Sequence, residues 1–441
     1  MSVAVAACFF AAFVAAALWA PQDQQAIRRH VVAAVVDGTF NARLPYGPFG
    51  RIEWPRHTLD CALAGMMLAP PGGRLIDAIS NRFILPNAAW QDPRVPETVD
   101  CQAMLRAIPE LGDGYGDVTR QATDRYILGV RVVGKVLLGL MPVDAMAQLL
   151  RAIAFALLAV LALLSFAKLR AAMQAGEPLL RPAGYLVIAA FLSCLYGVHY
   201  FDAMLYFAPT DHTHFIFIIV SLLVPLGRMR STGLAVYAAG YGSLIAIFES
   251  LTGGIPFALA MLPLLLALGF DGTRRDYLAR LVVLWSGFCV AVATCFAIKK
   301  GLTAAFLNDQ ESFVSLLLYR MYGAPMEESG TKLTLGYLLS AYRRWAGLIA
   351  LGSANVGTGL VVAALGIFVA ATWRARNAPR ECPILIACWL GILVFIVWAA
   401  AFLNHTAIHP YFMARLFIIP VIGAALLVLA RFVPARPTRA A

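Results

Sequence analysis

The sequence predicts an all-α polytopic membrane protein with about ten transmembrane helices, a long first extracytoplasmic loop and an in-plane amphipathic helix. Three observations predict it. Hydrophobic residues make up 61% of the 441 and charged ones 13%, with a mean hydropathy of +0.76, more apolar surface than a soluble fold can hide. The polarity is segregated into one long stretch, 21–124, and a series of short connections. The Lys and Arg residues behind the net charge of +11 cluster between apolar runs, as topology signals do, so basicity reports orientation and not nucleic acid.

The first apolar run, Ser2 to Ala20, lacks a charged leader and has the length of a bilayer crossing, so 1–20 reads as an uncleaved first span. Residues 21–124 form the extracytoplasmic loop domain, punctuated by Pro, Gly and Asp. Two phrases there echo each other, Thr58-Leu59-Asp60-Cys61 and Thr98-Val99-Asp100-Cys101, each able to open a short helix with Thr as cap and Asp in the first turn. Cys61 and Cys101 are the only cysteines outside the expected spans and are candidates for a disulfide in an oxidising compartment.

Residues 125–142 turn apolar but keep Arg131 and Lys135, four apart and therefore on one helical face. Such a helix lies in the interface, its basic face touching lipid phosphates in general or that of a lipid substrate. Spans two to seven then occupy 143–298: Val143 to Ala167, Ala183 to Tyr200, His214 to Gly227, Thr232 to Ser250, Pro256 to Phe270 and Leu281 to Ile298. A second extracytoplasmic loop covers 299–345. Spans eight to ten fill 346–432, as Ala346 to Trp373, Cys382 to Leu403 and Phe412 to Phe432, and 433–441 is a cytoplasmic tail.

Connections bearing Lys168, Arg170 and Arg181, then Arg228 and Arg230, then Arg274, Arg275 and Arg280, then Arg374, Arg376 and Arg380 alternate with connections poor in positive charge. The basic side is cytoplasmic and holds both termini. Asp60, Arg125, Arg131, Asp211, His212, Glu249, Lys299, Lys300, His405, His409 and Arg415 then fall outside or at the outer boundary. No P-loop occurs, and nucleotide donors are not available there, so an outward enzyme must use a lipid-borne donor. The polar connection Asn404 to Arg415 concentrates His405, His409 and Arg415 between two spans. Either histidine could donate to a phosphate oxygen or orient a sugar, or simply bond a backbone carbonyl. Asp211 and His212 are weak candidates for a divalent metal, because His212 and His214 at a spacing of two do not share a helical face; no motif demands a cofactor.

Thr58-Leu59-Asp60, Arg125-Tyr126-Ile127-Leu128-Gly129, Leu251-Thr252-Gly253-Gly254-Ile255-Pro256 and the Asn404 to Arg415 connection together resemble the GT-C superfamily of membrane glycosyltransferases. The resemblance covers most of the chain as architecture. It implies transfer of a sugar from a polyprenyl-phosphate carrier to an extracytoplasmic glycan or lipid acceptor in envelope polysaccharide synthesis, at a bacterial cytoplasmic membrane. It also implies a first-loop carboxylate as catalytic base. Asp60 is the match, although Cys61 stands where the family often has a second acid; Asp77 and Asp100 stay open as alternatives. Such transfer needs a base, a cationic clamp for the leaving phosphate and a greasy groove. Arg125, Arg131, Lys299, Lys300 and Arg415 are the candidate clamp, with His405 and His409 beside them, and Arg favoured for bidentate contact. A lipid-linked glycan flippase or transporter, or a non-enzymatic envelope assembly subunit, is the rival reading.

The disulfide is directly testable. Thiol labelling of unreduced protein is expected to leave Cys61 and Cys101 unmodified until reductant is added; labelling of both without reductant contradicts the pairing.

Overall fold

A computed structural model describes residues 1–20, 24–37, 39, 43–46, 52–55, 74–79, 82–86, 118–122, 127, 129–195, 208–249, 253–307, 335–348, 353–374, 382–402 and 414–433. The helices among them are α1 (Ser2–Trp19), α2 (Gln24–Val36), α3 (Arg74–Ile79), α4 (Val130–Leu140), α5 (Val143–Ala175), α6 (Leu180–Leu195), α7 (Ala208–Leu223) and α8 (Ser231–Phe248). They continue as α9 (Gly254–Leu268), α10 (Arg274–Leu307), α11 (Leu335–Leu348), α12 (Ala354–Arg374), α13 (Cys382–Ala401) and α14 (Ile418–Phe432). Among the described residues, six stretches are long and apolar enough to cross a membrane: Ser2–Trp19, Val143–Ala175, Ser231–Phe248, Arg274–Phe306, Ala354–Arg374 and Pro383–Ala401. Leu180–Cys194, Gly254–Leu268 and Ile418–Phe432 are shorter apolar helices. This is a helical, multi-pass membrane protein.

The segment 21–124 departs from an all-helical chain. Strands β1 (Arg43–Tyr46) and β2 (Ile52–Pro55) pair antiparallel, as do β3 (Arg82–Pro86) and β4 (Val118–Ala122). Polar sequence studded with Pro and Gly suits short paired strands, which satisfy backbone groups locally without a long apolar stripe.

Three element boundaries also differ from the sequence expectation. Helix α7 begins at Ala208, so Asp211, His212 and Thr213 belong to its first turns and not to a loop; Pro209 suits a first turn, and Thr213 Oγ1 donates to the Pro209 carbonyl at 2.8 Å. Helix α10 runs on through Lys299 and Lys300 to Leu307, so that pair lies inside a helix. Spanning 34 residues, α10 is about 51 Å long, well beyond the roughly 30 Å hydrocarbon core. The third difference precedes span eight, where a separate helix, α11, ends at Leu348 before α12 starts at Ala354.

The core is the contact of α8 and α10, where small residues allow close approach. A side chain at Gly242 would sit 2.5 Å from the Phe288 carbonyl oxygen, and one at Gly287 3.2 Å from that of Ala235. Helix α1 packs against both. Helix α9, buried along its length, sits against α13 and α10, and α14 packs on α6, α12 and α13.

The bundle has two chemically distinct ends. At one, Arg181 caps the last carbonyls of α7, its Nη2 donating to Ser221 (3.1 Å) and Leu222 (2.6 Å). Arg280 Nη1 likewise donates to the Met229 carbonyl at 2.7 Å, and Arg228 faces Asp271 at 3.6 Å on the surface. At the opposite end the chain stacks α3 and α4 on the bundle. Lys299 donates to the Ile79 carbonyl at the end of α3, and Ala17, Leu18, Ala78, Ile79, Val132 and Leu302 pack together.

Helix α4 is seated there by a backbone contact. The Gly129 N–H donates to the Ile247 carbonyl at 2.7 Å, and a Cβ at Gly129 would come 2.5 Å from Ile247 Cγ2. At the far end of α4, His30 of α2 donates Nδ1–H to the Leu138 carbonyl at 2.7 Å, satisfying a last-turn acceptor. Gly129→Val is therefore expected to lower stability by about 1–3 kcal/mol, measured by thermal unfolding in detergent. Gly301→Ala, where nothing lies within 4 Å, serves as the neutral comparison.

Candidate functional site

Helix α4 has the two cations on one face, as their spacing requires, but that face points inward. Arg131 is 3% exposed and Lys135 7%, and they share the buried stripe with Gly134 and Leu138. Val132, Val133, Val136 and Leu137 occupy the partly exposed sides, and Leu140 is exposed. An amphipathic helix on a water-facing surface would do the reverse. Both cations are therefore turned into the protein, whereas the sequence left open a basic face on lipid phosphates in general or on that of a lipid substrate.

The polar interior is built where α7, α8 and α9 have their ends. Glu249 follows α8 directly and is fully buried, as are Asp211 and His214 of α7; Thr210 is buried beside Asp211. Thr210 Oγ1 donates to the Phe248 carbonyl at 3.2 Å, tying the start of α7 to the end of α8. A Cβ on Gly254, the first residue of α9, would overlap the Glu249 carboxylate and stand 2.7 Å from Thr210 Cγ2, so those three residues meet at one point. Gly253 supports this turn with φ of 96°, a conformation glycine adopts without strain. The positive end of the α9 dipole faces the carboxylate, a favourable placement for its charge.

One turn deeper the same register repeats. His214, four residues past Thr210, lies 4.6 Å from the ring of Phe257, three past Gly254. His214 Nδ1 and the Tyr241 hydroxyl share a hydrogen bond of 2.6 Å. Tyr241 stacks on Phe217 at 4.5 Å and meets Phe288 edge-on at 5.7 Å, so an aromatic floor closes the polar region toward the middle of α7 and α8. His212 points away from this face and donates Nε2–H to the Leu150 carbonyl of α5 at 2.9 Å. Among the described residues no group of three metal-ligating side chains forms. The imidazole of His212 is engaged elsewhere than beside Asp211.

Of the remaining sequence candidates, Lys299 is buried and anchors α3, while Lys300 is half-buried on the next position of α10. Arg415 falls in a short 3-10 turn, Ala414–Phe417, that leads into α14. Asp60, Arg125, His405, His409, Cys61 and Cys101 lie outside the described residues. The structure thus gathers Thr210, Asp211, His214 and Glu249 at one junction, seats the start of α4 on the end of α8 through Gly129 and Ile247, and sets Lys299 to holding α3. The sequence signal for Glu249 was a lone acid between an apolar span and the Gly253-Gly254 turn. No family model, curated protein or solved structure matches this chain.

Gly254→Ala is expected to destabilise the protein by about 1–3 kcal/mol, because the added methyl must displace the Glu249 carboxylate. Adding Glu249→Ala removes that clash, so the pair should be non-additive by about 0.5–3 kcal/mol in a double-mutant cycle of thermal stability. Strict additivity would contradict the contact.

Proposed function

We propose that this chain is an integral membrane glycosyltransferase of the GT-C kind, moving a sugar from a polyprenyl-phosphate carrier to a glycan or lipid acceptor at the outer face of a bacterial cytoplasmic membrane. The observation that carries the reading is the inverted amphipathicity of α4. Its cations are buried in the protein while Val133, Val136 and Leu137 are partly exposed and Leu140 is exposed, an arrangement that suits a phosphate with a hydrocarbon tail. Arg131 and Lys135 hold the phosphate, the aliphatic flanks of α4 border the tail, and the junction below receives the sugar. This reading takes the ten-span topology expected from the sequence, with the arginine-capped end in the cytoplasm, since short cytoplasmic connections collect positive charge. The His405 to Arg415 connection supplies further donors to phosphate or sugar in this scheme.

A transporter or lipid-linked glycan flippase is favoured by a different observation, the fully buried Asp211, His214 and Glu249 within a helical bundle. One experiment separates them. Purified protein in vesicles with polyprenyl-phosphate sugars is expected to release polyprenyl phosphate, and Arg131→Ala to cut kcat/KM by about 100-fold. No release from any donor, with accumulation of tracer inside sealed vesicles, contradicts the transferase.

A further inference from the structure

We infer that Glu249 is the carboxylate that takes the acceptor's proton in this transfer, an assignment that rests on the transferase reading and competes with Asp60 for the role. Three features point to it. Glu249 is a fully buried acid at the end of a span, where an ionisable group is costly and marks a site by default. Its position is built: Gly254 leaves the space that any side chain would take from the carboxylate, Thr210 lies against the same space, and Gly253 turns the chain at φ of 96°. A cationic helix also starts close by in the chain's packing. Gly129 bonds to Ile247, two residues before Glu249, and the buried Arg131 follows Gly129 by two, so the start of α4 is seated on the segment that ends in the acid.

The chemistry balances with these groups alone. Glu249 accepts the proton of the acceptor hydroxyl as that oxygen bonds to the anomeric carbon. The bond from this carbon to the carrier's phosphate oxygen breaks, and its electron pair leaves with the polyprenyl phosphate. The phosphate passes from one negative charge as a diester to two as a monoester, and Arg131 and Lys135 hold the added charge. The Gly129 to Ile247 and His30 to Leu138 bonds hold α4 in place at its two ends.

The test is the transfer assay with purified protein in vesicles, run as kcat against pH, comparing wild type, Glu249→Gln, Glu249→Asp and Asp60→Asn. Glu249→Gln is expected to lower kcat by about 1000-fold with little change in donor KM. Glu249→Asp keeps the charge, retains a measurable rate and displaces the acid limb of the profile. Wild-type transfer with Glu249→Gln within threefold of it, or a larger loss from Asp60→Asn than from Glu249→Gln, overturns the assignment while leaving the transferase reading intact. Should Glu249→Gln fail to fold, Glu249→Asp decides, and a wild-type pH profile and rate in it overturn the assignment. A wild type that transfers no sugar is a separate outcome that sinks the transferase reading and the base with it.

Discussion

The contact between Gly129 and Ile247 sets the placement of everything at the polar end of the bundle. It is a backbone hydrogen bond made at a distance only glycine permits, and it fixes the start of α4 against the end of α8. From that point the 3.6-residue period turns Arg131, Gly134, Lys135 and Leu138 toward the protein and leaves the valines at the flanks. The lower side of the junction is governed by the same economy of space, since Gly254 leaves room for the Glu249 carboxylate at the start of α9.

Burying charges on both sides of such a junction is expensive, because each ion loses its hydration and recovers it only through well-placed partners. The fold meets that cost at an interface between helices that are otherwise held by apolar packing. Ile127 packs with Ala6, Phe10, Ile247 and Ala291, and the aromatic group of Phe217, Tyr241, Phe257 and Phe288 closes the floor. The polar region is thereby bounded by aromatic rings beneath and by the α7 and α9 helix starts at its side.

Much of this architecture was legible in the sequence. The apolar runs located a helix at each expected span, the i, i+4 pair of Arg131 and Lys135 correctly shared a face, and the alternation of Arg-rich connections corresponds to the end where Arg181 and Arg280 cap neighbouring backbone. What was not legible has one physical origin. Hydropathy treats polarity as exposure, so Thr210-Asp211-His212-Thr213 read as loop when it belongs to the largely buried start of α7, and Lys299-Lys300 read as the end of a span when α10 continues past it. The direction of the α4 face was likewise beyond reach, because periodicity states which residues lie together and tertiary contact decides where they point. The paired strands of the first loop have no long period to reveal them.

The central claim is that a lipid phosphate binds between α4 and the ends of α7, α8 and α9. Photo-crosslinking with a polyprenyl phosphate carrying a diazirine near the phosphate, followed by peptide mapping, addresses it most directly. The account predicts adducts within 127–140, 208–214 and 247–257, competed away by unlabelled polyprenyl phosphate. Adducts confined to the Arg181, Arg228 and Arg280 end of the bundle, or spread evenly along the exposed faces of α5 and α12, would contradict it.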